Sequence, residues 1–278
     1  MPPEALTRFA PSPTGFLHLG HAFSALTAWQ RPGRCLLRIE DIDRPRCRPA
    51  FEAAILEDLA WLGLRWPAPV WRQSDRMAPY AAALERLVAL GVCYPCRCTR
   101  AEIRAALSAP QEGAEAAPYP GTCRGRSMAG AGPDDAIRLD LTRAQALAGP
   151  VAFVETGPLH PGHHTPTPAA MAAAFGDVVL ARRDIGTSYH IAVVVDDAAQ
   201  GITEVVRGVD LFAVTALHRL LQRLLDLPEP AWHHHELIRD DSGRRLAKRD
   251  DARAIRRFRA EGATPADVAA MVGLTLPG

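Results

Sequence analysis

The stretch Arg8–Leu26, RFAPSPTGFLHLGHAFSAL, decides how this chain folds. Thr7, Phe9 and their neighbours are strand formers. Pro11, Pro13 and Gly15 cannot continue a regular strand, so the backbone must turn there. From Leu19 onward apolar residues recur at helical spacing, at Ala22, Phe23, Leu26 and Trp29. The order is strand, tight loop, helix, and the loop delivers His18, Gly20 and His21 to the beginning of the helix. Positions three apart share a helix face, so the two imidazoles can point together. Backbone N–H groups at a helix start are unpaired and partially positive. Two imidazoles added to that end make a site for an anion, phosphate above all. Gly20 has no side chain, so a ligand can approach the backbone closely.

The rest of the chain bounds this expectation. Its 278 residues suffice for one or two domains with a sizeable core. With 48% hydrophobic and 23% charged residues, it has the composition of a soluble globular protein. The net charge of +1 supplies no global field toward nucleic acid, so any RNA contact must use a local patch. No apolar run is long enough to span a bilayer, and the N-terminus lacks a signal-peptide pattern. Four of the six cysteines crowd into one region, which favours metal over disulfides. A cytoplasmic protein is expected.

Residues 34–40, RCLLRIE, form a second buried strand ending at Glu40 and Asp41. In open parallel sheets the ligand crevice lies outside the carboxyl ends of strands, where carboxylates can hold an ammonium group. Helices are expected over residues 50–64 and 79–90, the second ended by Gly91. Cys93, Cys96 and Cys98 lie within six residues, and Tyr119 and Cys123 return after a loop. Two short ligand groups separated by a loop are the usual layout of a structural zinc site. Cys96, Cys98 and Cys123 supply three sulfurs. Cys93 and Tyr119 compete for the fourth position, and spacing alone favours Cys93. Residues 136–141 and 151–154 alternate like strands of a small β insert.

Residues 191–195 are a continuous apolar run, as expected of a parallel strand buried on both faces. Residues 202–206 are another, ending in Arg207 and Gly208. Asp210 is placed to cap a long helix with Leu211, Val214, Leu217, Leu221 and Leu224 as its stripe. Residues 233–238 form a last strand, whose three histidines are expected at the sheet edge. A buried carboxylate needs a cation, preferably a bidentate guanidinium. Arg8 and Arg207, with Glu40, therefore suggest a pocket for an amino acid with an acidic side chain. From Arg239 to Arg259 nine basic residues face four acidic ones. Lys248 is the only lysine among 32 basic residues, and marks a place where a compact ammonium is needed. A short helix over residues 268–272 follows.

His18-Leu19-Gly20-His21 resembles the HIGH signature of class I aminoacyl-tRNA synthetases, and the wider APSPTG-x-LH-x-GH string resembles their glutamate-handling branch. Arg245-Leu246-Ala247-Lys248-Arg249 resembles that class's KMSKS loop in its KLSKR form, with Arg245 for the first lysine and Ala247 for serine. Cys-x-Cys followed by Tyr-x-x-x-Cys, and only 28 residues after Asp250, resemble the short glutamyl-queuosine tRNA(Asp) synthetases, which lack the anticodon-binding domain of glutamyl-tRNA synthetases.

The resemblance implies an α/β fold: a Rossmann-like catalytic domain with a zinc-binding insert and a short helical C-terminal segment. Its halves would cover 1–92 and 184–238, the insert 93–183, and the KMSKS-like loop with the helical end 239–278. It implies glutamate contacts from Arg8, Ala10, Ser12, Glu40, Tyr189 and Arg207, and ATP contacts from His18, Gly20, His21 and Lys248. His18, His21 and Lys248 would be catalytic. Zinc would be held by Cys96, Cys98, Tyr119 and Cys123, and Mg²⁺ would accompany ATP. The implied reaction activates L-glutamate and transfers it to queuosine at the wobble position of tRNA(Asp), by a monomer that needs no membrane. The alternative is a truncated glutamyl-tRNA synthetase charging the 3′ end of tRNA(Glu).

Overall fold

The structure is a computed structural model and describes residues 4–99, 102, 118–238 and 254–277. The KMSKS-like segment with Lys248 lies outside the described residues. Strand β1 (Ala5–Phe9), helix α1 (Leu19–Trp29) and strand β2 (Gly33–Ile39) form the unit expected from the opening stretch. β1 and β2 are parallel, with Ala5 opposite Gly33 and Phe9 opposite Leu37. Ala22, Phe23, Ala25, Leu26 and Ala28 turn the buried face of α1 onto them. Helix α2 (Pro49–Trp61) starts on Pro49, where a missing N–H costs nothing, and leads to the short strand β3 (Trp71–Arg72) beside β2.

Helix α3 (Met77–Ala89) is followed by Gly91 at φ +71°, a conformation that glycine adopts without strain. Strand β4 (Cys93–Cys96) pairs antiparallel with β5 (Ala136–Leu139). Asp140 then caps helix α4 (Leu141–Ala148) by accepting the Arg143 N–H. Strands β6 (Phe153–Glu155) and β7 (Gly162–His164) form a hairpin, and helix α5 (Pro168–Ala174) precedes β8 (Val179–Ala181), which closes the β4-β5-β8 sheet. The stretch around Val154 was expected in the same insert as β5. It lies instead in another sheet, because alternation marks a half-buried strand without naming its partner.

Residues 191–195 are not a strand. They lie inside helix α6 (Tyr189–Ala199), whose Ile191, Ala192, Val193, Val194, Asp196 and Asp197 are all buried. α6 packs against α3 and against helix α7 (Thr215–Leu224), so it is apolar on several faces, and a short apolar run cannot distinguish such a helix from a buried strand. Strand β9 (Glu204–Gly208) follows α6. A single 3₁₀ turn at Val209–Leu211 then precedes α7, so the expected long helix from Asp210 begins later and Leu211 lies ahead of it.

Strand β10 (Ala231–His235) runs parallel to β9 on one side and to β6 on the other. Its histidines were expected at a sheet edge. The strand is interior, and His234 and His235 are buried. The parallel β1-β2-β3 sheet and the mixed β7-β6-β10-β9 sheet meet at β1 and β9. Thr203 N donates to Leu6 O at 2.9 Å, and two residues on Arg8 Nη1 donates to Val206 O at 3.1 Å. The carboxyl ends of β1 and β9 therefore open on one crevice. Helices α8 (Ile255–Ala260) and α9 (Pro265–Met271) dock Ile255, Val268 and Ala269 into the core around α1 and α2. Ile255 N donates to Leu17 O at 2.8 Å, which ties this end to the loop carrying His18.

Candidate active site

A cavity of about 600 Å³ lies at the carboxyl ends of β1 and β9. Arg8, Ala10, Ser12, His18, Gly20, His21, Glu40, Tyr189 and Arg207 all line it. These are nine of the ten residues singled out for substrate contact, contributed by four separate parts of the chain. The tenth is Lys248, which lies outside the described residues.

His18 is the N-cap of α1, and its Nδ1 accepts the Gly20 N–H at 3.1 Å. His21 Nδ1 in turn accepts the His18 N–H at 3.2 Å, so the pair forms a reciprocal capping box made of imidazoles. Their ring centroids are 3.9 Å apart. With each Nδ1 accepting, the proton of each neutral ring sits on Nε2. The capping bonds thus leave both rings as Nε2–H donors, suited to phosphate oxygens. A Cβ on Gly20 would lie 3.0 Å from His18 Cε1. The glycine, which also lines the cavity, thus makes room for the His18 ring.

Arg8 and Glu40, in the lining of the same cavity, belong to a buried ionic network. Asp197 Oδ1 accepts from Arg8 Nε at 2.9 Å and from Arg38 Nη1 at 2.8 Å. Its neighbour Asp196 accepts from Arg76 Nε at 2.6 Å and from the Tyr80 hydroxyl at 2.7 Å. Arg38 Nη2 lies 3.4 Å from Glu40 Oε1. Burial alone would push the Asp197 carboxyl up, but Arg8 and Arg38 outweigh it and hold it below the usual carboxylate range. For Glu40 burial wins, and its pKa is raised despite Arg38 and Arg8.

Arg207 has a different setting. Nε donates to His234 Nε2 at 3.0 Å, Nη1 to His218 Nδ1 at 3.0 Å, and Nη2 to Thr215 Oγ1 at 2.8 Å and to Leu211 O at 3.0 Å. Its guanidinium also stacks over Trp232, 4.5 Å from the ring centroid. These acceptors are neutral, and among the described residues no carboxylate bonds it directly. Desolvation accordingly lowers its pKa. A buried cation so placed favours an anionic ligand group. Asp197, Arg38, His218 and His234 were not singled out from the sequence. The one available signal was Asp196-Asp197 closing an apolar run, since buried carboxylates demand cations.

A second cavity, of about 490 Å³, shares Ser12, Glu40 and Tyr189 with the first. Its wall includes His190, whose Nδ1 lies 3.2 Å from His218 Nε2. Burial, and then the Arg207 charge, push the His190 pKa down to about 4, so the ring is neutral.

Cys96, Cys98 and Cys123 bring their sulfurs within 4.8 Å of one another, the only such cluster of potential metal ligands among the described residues. Cys98 Sγ is 3.5 Å from Cys123 Sγ, and Tyr119 Oη is 3.5 and 3.4 Å from the sulfurs of Cys96 and Cys98. A tetrahedral zinc with bonds of about 2.3 Å to sulfur and about 2.0 Å to oxygen has ligand–ligand edges of about 3.5–3.8 Å. The donor set therefore fits such an ion. Cys93 packs instead in the core with Leu87, Val92 and Leu139.

Comparison with known proteins follows these features. The family described as tRNA synthetases class I (E and Q), catalytic domain, matches residues 4–131 and 167–276. A glutamyl-Q tRNA(Asp) synthetase of Rhodobacter capsulatus is 57% identical over 97% of this chain and 100% of its own length. One from Nitratidesulfovibrio vulgaris is 40% identical, over 94% of this chain and 83% of its own. The crystal structure of glutamate-tRNA synthetase from Elizabethkingia anophelis superposes with a TM-score of 0.76 at 27% identity, over 97% of this chain and 61% of that one. A glutamate tRNA ligase from Elizabethkingia meningosepticum in complex with its amino acid gives 0.75 at 28%, over 97% and 60%. The chain thus spans about three fifths of each of these two solved proteins. With the histidine-capped helix, the sheet crevice and the family match in agreement, the chain belongs to the class I tRNA synthetases (E and Q).

Proposed function

We propose that this protein activates glutamate with ATP and transfers it to the queuosine base at the wobble position of tRNA(Asp). The observation that carries the first step is the buried Arg207, held by neutral acceptors in the cavity that Arg8, Glu40 and the two histidines also line. Such a guanidinium suits the side-chain carboxylate of glutamate, while Glu40 suits its ammonium group. Ala10, Ser12 and Tyr189 complete the amino-acid site.

The glutamate α-carboxylate then attacks the α-phosphorus of ATP. The bond to the bridging oxygen breaks, pyrophosphate leaves, and glutamyl-adenylate remains. His18 and His21 offer Nε2–H groups to the phosphate oxygens beside Gly20, and donors of this kind are worth about 3 kcal/mol each. Lys248 is assigned to the departing pyrophosphate. Mg²⁺ accompanying the nucleotide would add charge neutralisation at the phosphates. In the second step a hydroxyl of the queuosine cyclopentenediol attacks the activated carbonyl, and AMP leaves. The likeness to proteins named for this reaction supports that acceptor.

Zinc is assigned to Cys96, Cys98, Cys123 and Tyr119, where it ties the chain around β4 and takes no part in the chemistry. The enzyme is assigned to the cytoplasm as a monomer. Among the described residues no helix is long and apolar enough to cross a membrane. ATP–pyrophosphate exchange in the presence of bulk tRNA tests the first step. Exchange that depends on glutamate is expected, and exchange that ignores glutamate but follows another acid would overturn it.

A further inference from the structure

Arg207 is held by an arrangement that the reaction as described does not use. Glu155 ends β6, His234 lies in β10 and Arg207 in β9, with His234 and Arg207 directly opposite in register. All three side chains are buried. Glu155 Oε1 accepts two backbone N–H groups, from Gly157 at 2.6 Å and from His234 at 2.9 Å. Its Oε2 is hydrogen-bonded to His234 Nδ1. An ionised carboxylate only accepts, so Nδ1 carries the proton. On the other side of the ring, Arg207 Nε–H can only donate, and it meets Nε2 at 3.0 Å. Nε2 must be the bare nitrogen. Both neighbours demand the same tautomer.

The close approach is built into the backbone. A Cβ on Gly157 would lie 2.3 Å from His234 O and 2.6 Å from Glu155 Oε1, so only glycine lets this loop close over the carboxylate. Burial lowers the His234 pKa, in keeping with a neutral ring.

We propose that Glu155 is a positioning residue, which fixes His234 with its proton on Nδ1 so that Nε2 accepts from Arg207 and aims the guanidinium at the substrate's side-chain carboxylate. The inference rests on the assignment of Arg207 to that carboxylate. His218, Thr215 and the Leu211 carbonyl hold the two terminal nitrogens of the guanidinium, and His234 holds Nε. The Nε contact is the one governed by Glu155.

Glu155→Gln tests this with almost no change of shape. The two backbone donors keep the amide oxygen at the Oε1 position, so the amide –NH₂ takes the Oε2 position and donates to Nδ1. The His234 proton must then move to Nε2, where it faces Arg207 Nε–H, so Nε2 can no longer accept from the guanidinium and only the Thr215 hydroxyl, 3.3 Å away, is left to take its proton. The KM for glutamate in pyrophosphate exchange is expected to rise about tenfold or more, with the KM for ATP unchanged. Ring ¹⁵N spectra of histidine-labelled protein, assigned by the resonances lost in His234→Gln, should show the proton on Nδ1 in the wild type and on Nε2 in Glu155→Gln. In His234→Gln the amide oxygen can take the Arg207 bond whatever stands at 155. Adding Glu155→Gln to that variant should raise the glutamate KM no further. A wild-type proton on Nε2, an unmoved proton in Glu155→Gln, or an equal KM rise in both backgrounds would overturn the proposal. A wild-type enzyme without glutamate-dependent exchange would instead overturn the assignment of the substrate, and the ring spectra would still decide the tautomer.

Discussion

The Arg8 guanidinium and the Asp197 carboxylate meet at 2.9 Å, both buried, and the same oxygen of Asp197 holds Arg38 at 2.8 Å. One carboxylate from α6 thus fixes a cation at the end of β1 and another from β2, and joins the two halves of the crevice. Removing one partner of a buried pair strands the other. Asp197→Asn is expected to cost about 3–5 kcal/mol in urea unfolding and to weaken glutamate binding. An unfolding midpoint and glutamate affinity equal to wild type would contradict it. Because the folded pKa of Asp197 is depressed, its contribution is fully present above the unfolded value and is lost as pH falls through the folded one.

Asp58 has the opposite sign. It is buried in α2, one carboxylate oxygen has no hydrogen-bond partner among the described residues, and its pKa is raised to about 6 by burial and by Glu57. The folded state holds that proton more tightly than the unfolded chain, so stability is greatest below the unfolded value near 3.8 and is lost as pH rises through about 6. Asp58→Asn should therefore raise Tm by several degrees at pH 8, with the gain vanishing toward pH 4. A gain independent of pH would show that the charge is not the cause.

The histidine cap predicts a double effect of His21→Ala. Loss of one Nε2–H donor should slow pyrophosphate exchange about a hundredfold with little change in the glutamate KM. Loss of the Nδ1 acceptor for the His18 N–H should also cost about 1 kcal/mol of stability. A rise in glutamate KM with exchange otherwise intact would move His21 out of the phosphate site.

The metal assignment separates Tyr119 from Cys93. Metal analysis of purified protein is expected to find one zinc per chain. Cys93→Ser should retain it, and Cys98→Ser should lose it. Tyr119→Phe should release it to a chelator faster than wild type. Full retention in Tyr119→Phe with loss in Cys93→Ser would reverse the choice of the fourth ligand.

The opening stretch was legible because its signals are local. Prolines at 11 and 13 stop β1, and helical spacing from Leu19 starts α1, so His18 and His21 could be placed before any tertiary contact was known. The same rules failed at residues 191–195, where a helix buried on several faces loses its polar stripe. The cysteine spacing was enough to group Cys96, Cys98 and Cys123 as potential metal ligands, whereas spacing could not tell that Cys93 packs into the core and that Tyr119 lies beside the sulfurs. The contacts of Glu155, His234 and His218 around Arg207 were invisible for the same reason. They join residues far apart in the chain across three strands and a helix, and no short pattern encodes them.

The central claim concerns the acceptor. Its most direct test uses queuosine-containing and queuosine-free tRNA(Asp), each with the 3′-terminal nucleotide removed, alongside intact and trimmed tRNA(Glu), incubated with ATP, labelled glutamate and the protein. Removing that nucleotide abolishes ordinary charging and leaves the wobble base untouched, and mild periodate applied to a parallel tRNA sample before the incubation destroys the queuosine diol as a control. Label on the trimmed tRNA only when queuosine is present, and absent when the tRNA is oxidised with periodate beforehand, is the predicted result. Label confined to intact tRNA(Glu) and abolished by trimming would contradict it and make the protein a conventional glutamyl-tRNA synthetase.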